Sequence, residues 1–178
     1  MKAESPLEAV ARRRSCLMTR RGFLALGLRV MLIGLGLWLV FSQVFAIHRN
    51  RGLGMYPAVR DGDLALAYRL QEDYIRGDVV LYRAGEGLHL GRIEALSGDV
   101  VLMDDSGSLS VNGTSRDEGI LYPTFPREGI PYPQRVQEGM VYILGDYRTQ
   151  TRDSRDFGAI PLDDILGKVI VLVRRRGL

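Results

Sequence analysis

Gly52-Leu53-Gly54-Met55-Tyr56-Pro57 is the stretch at which the character of this chain changes. Before it lies a long apolar segment. After it, short apolar and β-branched runs alternate with Gly, Asp and Pro. Runs of that kind are typical of β-strands. The stretch is therefore predicted to be a loop that opens the part of the protein that folds in water.

The apolar segment before this loop predicts a membrane anchor. Residues 30–47 carry no charge and the apolar character reaches back past Arg29 to Gly22, while about 20 apolar residues suffice to cross a bilayer as a helix. We therefore expect an uncleaved transmembrane signal anchor over residues 22–47. A cleavable signal peptide is the alternative, but its apolar region is shorter, at roughly 7–15 residues.

The basic residues on the two sides of the anchor predict its orientation. Five arginines precede it, whereas His48, Arg49 and Arg51 follow it. The larger basic cluster normally stays in the cytoplasm. The predicted organisation is a cytoplasmic basic N-terminus over residues 1–21, a single pass through the plasma membrane, and an extracytoplasmic domain over residues 48–178.

Length and composition limit what this domain can be. The 178 residues leave room for one membrane segment and one modest domain. The net charge is +3, almost all positive charge is arginine, and lysine occurs only at Lys2 and Lys168. No aromatic-plus-basic pattern indicates nucleic acid as a partner. A single cysteine excludes an intrachain disulfide and a cysteine-based metal site, and no cofactor is predicted.

The outer domain is predicted to be mostly β. Seven runs have the composition of strands, at residues 63–70, 78–83, 88–95, 100–103, 108–111, 140–144 and 168–173. Residues 120–135 contain four prolines, which cannot lie in central strands. That segment is predicted to be a surface insertion or an edge flap, whose Tyr122, Phe125 and Tyr132 either bind a partner or hold the loop on its own domain.

Four stretches, in the same order, resemble the motifs of bacterial type I signal peptidases. Each alone is weak, but the ordered set is specific. They are Met55-Tyr56-Pro57 with Gly62-Asp63, residues 76–80 (RGDVV), residues 92–99 (RIEALSGD), and residues 145–158, which contain DSRDFG.

The resemblance covers nearly everything from the anchor onward. It implies an antiparallel β-domain, held at the outer membrane surface and preceded by one N-terminal transmembrane helix. It also implies a groove that takes an extended peptide by strand addition.

Two positions differ from the family at its catalytic residues. The residue before the Met of the first motif is the family's serine nucleophile, and the residue before the Arg of the third is its lysine general base. A serine attacks only when a base removes its proton, and a lysine serves only when burial lowers its pKa. Here these positions are Gly54 and Gly91, so no catalytic dyad is predicted.

The resemblance assigns further positions to the groove and its motifs. Thr151 replaces a serine that hydrogen-bonds the lysine. His89 is two residues from Gly91, on the same strand face, and is a candidate substitute base, although a histidine there is more often merely solvated or hydrogen-bonded. An exposed surface turn is the alternative for residues 153–155. The full set is Gly52, Met55, Pro57, His89, Arg92, Asp146, Thr151, Asp153, Ser154 and Arg155.

The resemblance implies a membrane-anchored, catalytically inactive signal peptidase I-like protein that binds exported peptide segments. Its expected role is that of an accessory or chaperone-like factor in surface pilus assembly, with an exported protein or pilin-like subunit as partner. Loss of both side chains is expected to widen the groove. One alternative is an active type I signal peptidase, a serine endopeptidase with an unorthodox site. Another is a membrane-tethered protein-interaction module.

Overall fold

The computed structural model describes residues 6–116 and 121–174, without the side chains of residues 6–19 and 21. Parts of three predicted features therefore lie outside the described residues: the basic N-terminus 1–21, the first residue of the 120–135 segment, and the last four residues of the domain 48–178. The chain divides into two compact units between Gln43 and Val44.

The first unit is a single helix, α1, which spans Pro6–Val44. Its part Gly22–Val44 is long and apolar enough to cross a membrane, and this fits a single-pass membrane protein. The helix ends before residue 47, the predicted end of the anchor. The next residues form strand β1, Phe45–Arg49, because their apolar, β-favouring side chains extend beside another strand. Hydropathy alone does not separate such a strand from the end of a helix.

The second unit is built mainly from a seven-stranded sheet. All of its described strand pairs are antiparallel, including a short pair of two residues at one edge. In spatial order its strands are β1, β2 (Leu64–Tyr68), β11 (Ile165–Val173), β3 (Val79–Ala84), β4 (Gly87–Ala95), β9 (Met140–Leu144) and β10 (Ile160–Pro161).

A smaller four-stranded sheet completes the described part of this unit. Its order is β7 (Thr114–Ser115), β6 (Leu109–Val111), β5 (Val100–Met103) and β8 (Gln134–Arg135). A four-residue helix, α2 (Ser154–Phe157), precedes β10. Mostly antiparallel β-structure after one N-terminal apolar helix confirms the predicted fold class, and each of the seven predicted strands overlaps an observed one.

Strand β9 lies between two of the three buried apolar clusters. Val141 and Ile143 join a cluster with residues of β3 and β4. Tyr142 and Leu144 join a cluster with residues of β5 and β6. Successive side chains of a strand point to opposite faces, so a nearly continuous apolar run is what a strand buried on both sides requires.

The third cluster fixes the loop quoted at the outset. Met55 and Val59 are buried there against Ala65, Leu81 and Leu90. Burying a methionine side chain contributes about 1.5–3 kcal/mol. Met55 therefore anchors the loop to the face of β3 and β4.

Strand β4 has one partly uncovered edge. It pairs with β3 from Val79↔Arg92 to Ala84↔Gly87. On its other side, β9 pairs only with Arg92, Ile93 and Ala95. Within residues 6–116 and 121–174, no strand covers that edge from Gly87 to Leu90.

The described part of the proline-rich segment is held on its own domain. Tyr122 stacks on Tyr147 with ring centroids 4.2 Å apart, and the Tyr132 and Tyr142 hydroxyls are 2.6 Å apart. The segment ends in the edge strand β8. Of the two alternatives for its aromatic residues, these contacts favour the second, in which they hold the loop in place.

Candidate functional site

The loop carrying Gly54 is held by hydrogen bonds of its backbone at Gly52 and at Gly54. Gly52 donates its N–H to Asp61 Oδ1 at 2.7 Å, and Gly54 O accepts from Tyr147 N at 3.0 Å. Gly52 has a φ of +95°, a conformation that strains other residues. Glycine at this position therefore suits the turn.

A side chain at Gly54 has little room. A Cβ built there lies 3.0 Å from Thr151 Oγ1 and 3.4 Å from Thr151 Cβ. Thr151 is buried and lies directly against the position of the family's nucleophile. A serine at Gly54 therefore requires a shift of a few tenths of an ångström in Thr151.

Neighbouring side chains fill the space at Gly91, the predicted position of the family's general base. A Cβ on Gly91 lies less than 3.0 Å from Ile143 Cγ2, and 3.0 Å from Tyr82 Cε1. Both neighbours are fully buried. The expectation that losing the lysine widens the groove is therefore wrong at this position, because Ile143 and Tyr82 occupy the volume that a lysine stem needs.

Gly54 and Gly91 adjoin the same short segment. A Cβ on Gly91 lies 3.3 Å from Leu144 O, while a Cβ on the next residue, Gly145, lies 2.5 Å from Gly54 O. The fold thus brings the two positions into the same neighbourhood, as the family motifs imply, but without side chains that can exchange a proton.

The closing motif supports this segment from below. Ser154 Oγ accepts from Ile143 N at 2.9 Å, and Asp153 Oδ2 accepts from Gly145 N at 3.2 Å. Arg155 holds Asp153 with two hydrogen bonds, of 2.9 and 2.8 Å. All three motif residues are buried, so the alternative of an exposed surface turn does not describe them.

His89 does not occupy the vacated base position. Its ring lies 5.8 Å from the Tyr82 ring and 5.5 Å from the Phe157 ring, while Ile143 fills the space at Gly91. Burial lowers the pKa of His89, and the Arg152 charge lowers it further against a backbone hydrogen bond at Ala84. The imidazole is therefore neutral at pH 7.

Lys168 is likewise engaged elsewhere. Its Nζ forms an ion pair with Asp78 Oδ1 at 2.8 Å, on a strand that pairs with β2 and β3. It is the one lysine of the sequence after residue 2. Lys168 therefore does not supply an amine base at the Gly54 loop.

A groove of about 530 Å³ runs beside the Gly54 loop. The loop, the uncovered edge of β4 and the segment before α2 form its walls. Five of the predicted positions line it, namely Gly52, Gly54, Met55, His89 and Thr151. Leu53 and Leu88 add half-exposed apolar side chains. A groove of this volume can hold one or two side chains of an extended peptide.

Three predicted positions line a different cavity. Pro57, Arg92 and Asp146 border a space of about 570 Å³. Arg92 binds both carboxylate oxygens of Asp146, at 2.9 and 2.8 Å, and this hydrogen-bonded carboxylate raises the pKa of the guanidinium. The pair links β4 to the residue after Gly145. It therefore helps to hold the backbone around the site in place.

Comparison with known proteins matches this arrangement. Residues 23–173 match the family described as signal peptidase, peptidase S26. The chain belongs to the signal peptidase S26 family. The predicted resemblance is thereby confirmed.

Several members of this signal peptidase family can be compared directly. Signal peptidase I of Bacillus caldolyticus is 30% identical over 142 residues, covering 71% of this chain and 78% of that protein. Signal peptidase IB of Staphylococcus aureus is 27% identical over 154 residues, covering 75% and 80%. The crystal structure of a signal peptidase I from Enterococcus faecalis V583 aligns with a TM-score of 0.47 at 24% identity, covering 56% of this chain and 98% of that one.

Sequence reasoning missed the residues that fill the site. The strand containing Ile143 was predicted, but which of its side chains faces Gly91 depends on cross-strand register, which a strand pattern alone does not determine. Arg49 and Arg51 were interpreted as membrane-flanking charge, yet both line the groove together with Arg152. The only sequence signal for that arrangement is their proximity to the Gly54 and Thr151 motifs.

Proposed function

We propose that this signal peptidase family member is a membrane-anchored protein that binds exported peptide segments without cleaving them. The observation that carries the proposal is at Gly91, where Ile143 and Tyr82 fill the volume of the missing general base. A site that had only lost two side chains would keep an empty base pocket. A repacked one favours a function that no longer needs the chemistry.

Peptide binding is supported by the uncovered edge of β4. On the side away from β3, residues 87–90 offer backbone donors and acceptors that no described strand uses, next to the loop at Gly54 and the groove. An extended segment can add to such an edge by main-chain hydrogen bonds, with pockets for alternate side chains. Leu53 and Leu88 then contact its apolar residues.

The proposed client is an exported protein, and the proposed setting is surface pilus assembly, as an accessory or chaperone-like factor for a pilin-like subunit. A photo-crosslinker at Leu53 in the groove tests this. A matched control is Leu102, which has the same 45% exposure on β5 of the other sheet. We expect a pilin-like subunit to be captured from Leu53 and not from Leu102. Equal capture from both positions contradicts groove binding.

The proposed location is the plasma membrane, with the N-terminus in the cytoplasm and the β-domain outside. Cys16 is the only cysteine and precedes the apolar part of α1, Gly22–Val44. In intact cells stripped of their wall, a membrane-impermeant maleimide should label Cys16 only after permeabilisation. A Cys16→Ser/Ser97→Cys variant, with the thiol at an exposed site of the β-domain, should react without permeabilisation. The reverse pattern contradicts the orientation.

An active signal peptidase with an unorthodox site is the competing function, because the family's named relatives are peptidases. Incubation of the purified full-length protein with an exported preprotein in detergent separates the two, with Staphylococcus aureus signal peptidase IB as positive control. We expect no cleavage by this chain. Turnover that disappears in His89→Ala would refute the inactive assignment.

Restoring the dyad tests whether repacking, as well as the two glycines, silences the site. Gly54→Ser with Gly91→Lys should remain inactive, because Ile143 still occupies the lysine position. Adding Ile143→Ala frees that space and should permit detectable cleavage. Activity of the double variant would show that Ile143 is no barrier. Silence of the triple variant would mean that the groove itself has diverged.

A further inference from the structure

The groove beside Gly54 is lined by basic side chains from all three of its walls. His48, Arg49 and Arg51 come from the segment before the loop, His89 from the β4 edge, and Arg152 from the segment before α2. Among the described residues, no aspartate or glutamate lines the groove. With both histidines neutral, the lining carries three positive charges.

These three charges have no carboxylate partner among the described residues. Arg49, Arg51 and Arg152 are exposed, and none forms an ion pair with a carboxylate in the described part of the chain. Arg152 lies over the Phe157 ring at 5.0 Å, which orients the guanidinium without cancelling its charge. Asp61 contacts the loop through Gly52 N but does not line the groove.

The histidines report the same positive potential. Burial is the largest cause that lowers the pKa of His48, and the Arg51 charge lowers it further. Arg152 has the same effect on the pKa of His89. An arginine thus lowers the pKa of each histidine that lines the groove, which fits a positive potential there.

Exposed arginines that follow a membrane anchor in the sequence can bind either an acidic peptide or an anionic lipid headgroup. Arg49 and Arg51 alone fit a headgroup, since they follow the anchor closely. Arg152 and His89 do not, because they flank Thr151 and the free edge of β4, where a peptide backbone is expected to bind. The apolar side chains of Leu53 and Leu88 in the same groove also match an extended chain better than a headgroup.

We propose that the groove selects extended segments that carry acidic side chains, with Arg51 and Arg152 contacting Asp or Glu on either side of an apolar residue. The inference rests on the proposed peptide-binding function and specifies its client by charge. Charge complementarity of this kind steers association and discriminates against basic segments.

Fluorescence anisotropy with the full-length protein in nanodiscs of phosphatidylcholine tests the proposal. The probe is a labelled Val/Ala peptide of about eight residues, the length of a strand, with two Glu. Matched probes carry Gln or Lys at those positions. The Glu peptide should bind roughly three- to tenfold more tightly than the Gln peptide, the range expected for two partly exposed ion pairs, and the Lys peptide most weakly.

Charge variants assign the effect to the groove. Arg51→Gln/Arg152→Gln should reduce binding of the Glu peptide to that of the Gln peptide, and Arg51→Glu/Arg152→Glu should make the Lys peptide the best ligand. The control is Arg135→Gln, an exposed arginine on β8 of the other sheet, which should leave all three affinities unchanged. Thermal unfolding of each variant verifies that it is folded.

Four outcomes overturn the inference. Equal affinity for the Glu and Gln peptides would refute charge selection while leaving peptide binding intact. Preserved selectivity in the groove variants would place it elsewhere. If only adsorption to phosphatidylglycerol vesicles responds to Arg51 and Arg152, these residues bind lipid. If none of the three peptides binds, the proposed function fails together with the inference.

Discussion

Gly91 is the residue at which the family's chemistry and the packing of this chain conflict, so its smallest substitution is informative. Gly91→Ala places a Cβ against Ile143 and Tyr82, and overpacking of this kind costs about 1–3 kcal/mol. We expect urea denaturation to show a loss in that range. The double variant Gly91→Ala/Ile143→Ala should lose less unfolding free energy than the sum of the losses in the two single variants, because Ile143→Ala removes the side chain that the new Cβ contacts.

The matched control for this cycle is Gly87→Ala in the same strand. Its Cβ meets only the tip of the His89 ring, at 3.3 Å from Nε2, and that ring can move. The expected change in unfolding free energy is within about 0.5 kcal/mol. If Gly87→Ala costs as much as Gly91→Ala, the loss reflects the strand backbone and the packing interpretation is wrong.

His48 and His89 make stability depend on pH in a definite direction. The pKa of each lies below the ordinary 6.5, with burial the largest cause. The unfolded chain therefore takes up protons first as the pH falls, so stability is complete above pH 6.5 and declines below it. Denaturation midpoints measured between about pH 7.5 and 5.5, a window around the ordinary histidine pKa, should fall. The slope should flatten in His48→Gln/His89→Gln; an unchanged slope would assign the dependence to other groups.

At the scale of elements, a buried hydrogen bond joins the start of α2 to the end of β9. Ser154→Ala removes the acceptor of the buried Ile143 N–H, and an unsatisfied buried donor costs about 1–3 kcal/mol. The control is Ser97→Ala, which removes an exposed hydrogen bond to Met140 O and should cost no more than about 0.5 kcal/mol. Comparable losses in both variants would contradict a special role for Ser154 beneath the site.

At the scale of the whole molecule, the division at Val44 predicts where the chain can be shortened. A chain starting at Val44 keeps β1, which pairs with β2 at five positions, and should unfold cooperatively in mild detergent. A chain starting at Asn50 lacks β1. Its melting temperature should be lower by at least about 5 °C, the shift that follows a loss of ~1–2 kcal/mol in a domain of this size. Equal melting temperatures of the two chains would mean that β1 does not stabilise the β-domain.

The sequence by itself determined the features that depend on short-range pattern. Hydropathy predicted the apolar helix, alternation and β-branched residues predicted the strands, and four ordered motifs predicted the family. The identity of Gly54 and Gly91 is also a property of sequence alone, and it is enough to exclude the family's serine and lysine from those positions.

Only the tertiary structure decided what replaced the missing side chains. Ile143 reaches Gly91 through the register of β4 and β9, and Arg152 reaches the groove shared with Arg51 although about a hundred residues separate them. Contacts of this kind depend on which strands pair and where each pairing stops, and local pattern carries no information about either. The sequence thus predicted that two catalytic side chains are lost, and the fold showed that neighbouring side chains fill the predicted base position and that exposed arginines line the groove beside the Gly54 loop.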